Sequence, residues 1–172
     1  MGKISVDAFL REYGVAAKQK GSAMETFIKK HIVTDYIDFL TKSVYCEKII
    51  DVTCYIKDGE RKIVKINSAN RYLFYIMRMI ELYTDIELNK EKVWEDYDKL
   101  NKVGAIDVIM AAIPESEQSE FSTILNMKLD DFRDNVYSLE AIAYNFKESL
   151  SLSEEVINSV IEDLKKQVET AE

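Results

Sequence analysis

The stretch NSANRYLFYIMRMIELYTDIE, Asn67 to Glu87, is the most apolar run in this 172-residue chain, and it carries two arginines, Arg71 and Arg78. Three readings compete for it: a membrane span, a docking helix with a basic stripe, or the helix around which the rest packs. Its unbroken apolar centre, Tyr72 to Met77, is six residues long, far short of the ~20 that a span needs. Asn67 or Ser68 can cap a helix there. Ala69, Leu73, Ile76, Met77, Ile80 and Tyr83 then share one face, which Tyr72, Phe74 and Met79 widen most of the way around. A helix apolar on nearly all sides is normally a buried one. A core helix is therefore expected over about 68–84, with Arg71 and Arg78 meeting acids from the 115–120 or 130–134 regions and setting helix register.

Upstream, Ser5 can cap a short helix that Gly14 ends. Ser22 and Glu25 form a capping box ahead of an apolar series at Met24, Phe27, Ile28, Ile32, Tyr36, Phe39 and Leu40. This helix is expected to run on, or to bend near Val33–Thr34, into a second series at Val44, Ile49, Ile50 and Cys54. The alternation of Val52, Cys54 and Ile56 before Asp58-Gly59 supports a competing small β-hairpin within about 50–66. The favoured reading is helix to about Cys54, then a loop or small hairpin.

Downstream, a helix is expected from Asn89 to Val103, with Val93, Tyr97 and Leu100 inward and Gly104 as its breaker. A short apolar helix follows from Ala105 to Ile113. Pro114 restarts the chain at a first helical position, with Phe121, Ile124 and Leu125 on the inner face. Leu129, Phe132, Val136, Leu139, Ala143, Phe146 and Leu150 then alternate spacings of three and four, and Ile157, Ile161, Leu164 and Val168 repeat the pattern after a Ser151–Glu154 capping box. These read as two amphipathic helices in an antiparallel hairpin over about 128–170. The fold class expected is all-α: one domain over 1–172, a bundle of about seven to eight helices. A core bundle over 1–127 and the hairpin over 128–172 are its sub-structure.

Composition narrows the function. One proline and five glycines leave little material for turn-rich β architecture. The formal net charge is −8, with 12 basic against 9 acidic residues over 1–65 and 11 against 22 over 66–172. Such a field repels phosphate backbones, so direct nucleic-acid binding is disfavoured. Asp7, Arg11 and Glu12 stand where a signal peptide needs an apolar core, and Cys46 and Cys54 are too few for a disulfide framework. A cytoplasmic protein with buried thiols is expected.

The chemistry-bearing residues are sparse. His31 and Asp35 have metal-ligand spacing on a helix, but the chain has a single histidine and a zinc site needs a third protein ligand. A structural role is expected for His31. The pairs Glu95–Asp98, Glu117–Glu120 and Asp131–Asp134 are the one enzymatic idea, because two such pairs on facing helices can hold Mg²⁺ against a diphosphate, as in all-α nucleotide pyrophosphohydrolases. Acids at 117 and 120, however, are expected in a helix's first turns regardless. No cofactor motif is present, and the glycines are scattered singly. A non-enzymatic protein with no cofactor is the expectation.

At HIVTDYI (31–37), NSANRYLFYI (67–76), ELYTDIE (81–87), DKLNKVGAIDVIMAAIPESEQSEF (98–121) and ILNMKLDDFRDN (124–135), the chain resembles small acidic proteins of the phages and prophages of Gram-positive bacteria. The resemblance spans about residues 22–140 and implies a virion-morphogenesis or tail-assembly accessory; it carries over no functional residues. Two expectations result. In the first, a protein partner, a phage structural component, docks on the seam of Ile157, Ile161, Leu164 and Val168. In the second, the acids Glu115, Glu117, Glu120, Asp130, Asp131 and Asp134 imitate nucleic acid towards a host defence effector, as an anti-CRISPR-like inhibitor does.

Overall fold

The Ala8 amide donates to Ser5 Oγ at 3.3 Å, and this cap starts the first of the seven helices among the described residues of a computed structural model. It describes residues 2–19, 21–58 and 61–138, together with 142, 159 and 162. In chain order the elements are β1 (Ile4–Ser5), α1 (Val6–Ala16), α2 (Ala23–His31), α3 (Phe39–Cys54), β2 (Tyr55–Asp58) and β3 (Arg61–Val64). They continue with α4 (Ser68–Tyr83), β4 (Ile86–Glu87), α5 (Val93–Lys102), α6 (Ala105–Ala112) and α7 (Glu115–Tyr137). The fold is mostly helical, as expected. Two compact units divide it, Met1–Leu125 and Asn126–Glu172. No helix among the described residues is long and apolar enough to cross a membrane.

The opening stretch is the core helix α4. The Asn70 amide donates to Asn67 Oδ1 at 3.0 Å and sets its start. Thr84, in extended conformation, sets its end and turns its hydroxyl back onto the Ile80 carbonyl at 2.6 Å. Burial is graded along it. Ile76, Met77, Met79, Ile80 and Tyr83 are buried, whereas Ala69 is exposed and Tyr72 is 59% exposed. The sequence reading therefore holds for the second half of the helix and fails for its first turn. The arginines correct it further. Arg78 pairs with Glu81 three residues on, and Arg71 donates to Ser68 Oγ at 3.3 Å. Neither pairs with an acid of α7 among the described contacts: Arg78 is held by Glu81 on its own helix, whereas Nη1 of Arg71 is buried without a hydrogen-bond partner among the described residues.

Immediately after α4 the chain becomes extended and completes a small tie. Ile86 and Glu87 pair in parallel with Ile4 and Ser5, and the Ile4 amide donates to the Asp85 carbonyl at 2.8 Å. Ile32 bridges Thr84 on the other side. The β-branched run Ile32-Val33-Thr34 prefers this extended state, and so α2 ends at His31 rather than running or bending into α3. His31 and Asp35 consequently never share a helix face.

Other boundaries shift for local reasons. Gly14 lies inside α1, which ends two residues later at Ala16. Ser22 has φ −82° and ψ 13° and makes no side-chain cap bond, since an N-cap acceptor needs an extended backbone; Glu25 instead holds Lys29 at 2.7 Å. Asp38 caps α3, accepting from the Thr41 amide at 2.9 Å. The hairpin forms as β2 and β3, antiparallel with Asp58 opposite Arg61, so Asp58 belongs to the strand and not to the turn. The helix expected from Asn89 begins only at Val93, while Gly104, at φ 71°, separates α5 from α6 as expected. Cys46 and Cys54 are buried, and neither is in a disulfide.

In α7, Phe121, Ile124 and Leu125 are buried, as are Leu129 and Phe132. One helix covers Glu115–Tyr137 and takes in the start of the hairpin expected from about 128. The remainder of that hairpin, including Ile157, Ile161, Leu164 and Val168, lies outside the described residues.

Candidate functional site

The first unit is organised around a buried charge cluster. Lys42 stands one turn into α3 on the face that continues through Cys46, Ile49 and Thr53, and all four are buried. Spacings of four, three and four carry the lysine inward with them. Glu117 occupies the equivalent position on α7, on the buried face of Phe121 and Ile124. Lys42 Nζ lies 2.8 Å from Glu117 Oε2 and also pairs with Glu120, whose side chain is 45% exposed. The same Glu117 oxygen accepts from Tyr83 Oη at 2.6 Å and from the Ile37 amide at 3.0 Å. A buried lysine is tolerated only when its charge is matched and its donors are used. Glu117 and Glu120 supply the counter-charge and two acceptors for the ammonium.

Burial alone pushes the Glu117 carboxyl up. The hydrogen bonds from Lys42, Tyr83 and Ile37 more than reverse this and hold it below the ordinary carboxylate value. Burial pulls the Lys42 ammonium down, and Glu117 and Glu120 together raise it above its ordinary value. Burial, reinforced by the Glu117 carboxylate, raises the Tyr83 phenol. The signs decide the pH profile. A lowered carboxylate contributes stability above its unfolded value, near ~4.3, and loses it as pH falls through the folded value; a raised lysine contributes below ~10.4 and loses it as pH climbs further. The urea midpoint should therefore drop on acidification below about pH 4.5 more steeply in the wild type than in Glu117→Gln. Parallel slopes in the two proteins would contradict the assignment.

Above this cluster the α2–α3 connector is pinned along its length. The Val33 amide donates to the Tyr83 carbonyl at 2.9 Å, Thr34 Oγ1 donates to the Tyr36 carbonyl at 2.7 Å, and Ile37 is held by Glu117. The result is an ordered segment that turns large apolar side chains outward. Tyr36 and Phe39 are each 62% exposed and Leu40 is 71% exposed, with Val44 one turn further along α3. Fully burying such side chains is worth roughly 1.5–3 kcal/mol each. An exposed Leu is ordinary in itself. Three large ones, Tyr36 on the hydrogen-bonded connector and Phe39 and Leu40 in the first turn of α3, with Tyr36 over the Lys42 ammonium at 5.4 Å, form a preorganised face.

The residues singled out in the sequence fall differently. Glu117 is buried and engaged with Lys42, so it cannot be a surface acid. Glu115 and Glu120 are exposed on α7, as are Asp130, Asp131 and Asp134, and Asp130 holds Arg133 at 3.3 Å. Of the supposed metal pairs, Glu117–Glu120 is occupied by the Lys42 ammonium, while Glu95 and Asp98 are both exposed and Glu95 holds Lys92. Among the described residues no group of three His, Cys, Asp or Glu is placed to hold a metal ion. His31 is buried between the rings of Phe9 and Phe27, and its Nδ1 lies 2.8 Å from Asp85 Oδ1. It ties the end of α2 to the segment after α4, a structural role. Lys42 was the missed residue, and its four-residue spacing from Cys46 was the available signal. The apolar series through Tyr36, Phe39 and Leu40 loses its helical phase because the chain between His31 and Phe39 is not helical, and all three side chains are exposed.

Compared with protein-family models, curated proteins and solved structures, the chain matches none.

Proposed function

We propose that this chain is a protein-binding adaptor whose docking face is Tyr36, Phe39 and Leu40 at the start of α3. The observation that carries this reading is their exposure on a backbone already immobilised by Glu117 and Asp38. Aromatic and aliphatic side chains on a preorganised backbone bind with little further ordering cost. Asp35, Asp38 and Glu120 are exposed acids near this segment, so the partner expected is an apolar protein surface with a basic rim. In keeping with the phage-protein resemblance, that partner is a virion component and the chain acts as an assembly accessory or chaperone.

The test is a photo-crosslinking residue at position 44, exposed one turn further along α3, in phage-infected cells. A crosslink to one phage structural protein is expected, and Phe39→Asp with Leu40→Asp should abolish it while moving stability by less than about 0.5 kcal/mol, as exposed substitutions do. An unchanged crosslink in the double variant removes this face from the proposal.

The exposed acids Glu115, Glu120, Asp130, Asp131 and Asp134 favour the second reading, inhibition of a host nucleic-acid-binding effector. It differs in being steeply salt-dependent, and charge reversal at these five positions should eliminate it.

A further inference from the structure

We propose that the cavity between α3, α4 and the segment leading into α5 binds a small ligand with one anionic group on a flat apolar body, an aromatic carboxylate or aryl phosphate. The cavity has a volume of about 210 Å³ and is distinct from the docking face. A cavity of about 150 Å³ is enough to hold benzene, so this one suits a single ring with a charged substituent.

Its lining has two characters. Phe74 and Met77 from α4 supply apolar surface, with Met77 almost fully buried. Lys48, Arg78 and Lys90 supply three cations against the single carboxylate of Glu81. Such a gathering of positive charge is unexpected within residues 66–172 and their neighbours, where acids predominate two to one. Tyr45 stands beside two of these cations, with Lys48 Nζ 4.8 Å and the Arg78 guanidinium carbon 5.6 Å from its ring centre. Like charges lining one cavity raise each other's energy, and an anion bound among them lowers it. Glu81 meets Arg78 at Nη1, which uses only part of a guanidinium's five N–H donors. The fork geometry of that group suits a carboxylate or a phosphate alike.

The experiment is a titration of ¹³C-methyl-methionine-labelled protein with sodium benzoate, phenyl phosphate and neutral benzyl alcohol, following the Met77 methyl signal. Both anions are expected to shift it saturably and to bind at least about tenfold more tightly than the alcohol, the scale of one hydrogen bond to a charged group. Arg78→Gln should weaken the anions by about tenfold or more, and exposed Lys90→Gln by about two- to fivefold, with the alcohol unaffected by either. Comparison of the two anions tells carboxylate from phosphate preference. If Arg78→Gln is unfolded, Lys90→Gln and Lys48→Gln decide. The proposal is overturned if neither anion shifts Met77, if benzyl alcohol binds equally well, or if the lysine variants leave anion affinity unchanged.

Discussion

Lys42→Met should cost the fold about 3–5 kcal/mol, the penalty for leaving one partner of a buried ion pair uncompensated. The Glu117 carboxylate would keep its bonds from Tyr83 and Ile37 but lose its counter-charge. Urea unfolding of Lys42→Met, Glu117→Gln and the double variant forms a cycle. The double variant should recover at least half of the single-variant loss, because a neutral amide beside a thioether leaves no buried charge; the expected coupling is about 1–3 kcal/mol. A loss under about 1 kcal/mol for Lys42→Met would mean that the pair is solvated, and the cluster would then lose its role as the foundation of the connector. The cycle also bears on function. Glu117 holds the Ile37 amide, so weakening it should loosen the display of Tyr36, Phe39 and Leu40 before the domain unfolds.

Ile80→Ala should cost about 2–5 kcal/mol, the range for truncating a fully buried aliphatic side chain, whereas Tyr72→Ala on the same helix should stay within about 0.5 kcal/mol. Ile80 is wholly buried and Tyr72 more than half exposed, although both belong to the same apolar run. Denaturant midpoints of the two variants measure the gradient directly. Equal losses would restore the view that the whole of α4 is enclosed, and the first-turn correction would be withdrawn.

The elements legible in the sequence were those with local causes. Asn67, Ser5 and Gly104 act within one turn of where they stand, so the starts of α4 and α1 and the break before α6 followed from residue type. The buried half of α4 and the inner face of the first turns of α7 followed from 3.6-residue periodicity. Failures came where two signals conflicted. Ser22 and Glu25 have the residues of a capping box but the wrong backbone at Ser22. The series Ile32, Tyr36, Phe39, Leu40 has helical spacing, yet the β-branched run at 32–34 finds strand partners at Thr84 and Tyr83 that no local pattern reveals.

What the amino-acid order determined by itself was the helical class, the core helix and the thiols' place in the interior, because apolar spacing and capping chemistry operate over a few residues. Only the tertiary structure decided that Lys42 is inside, that Glu117 meets it from 75 residues further along, and that Tyr36, Phe39 and Leu40 face outward. Charge burial is settled by which distant group arrives to satisfy it. A lysine on an apolar face carries no mark of its partner until the chain has folded.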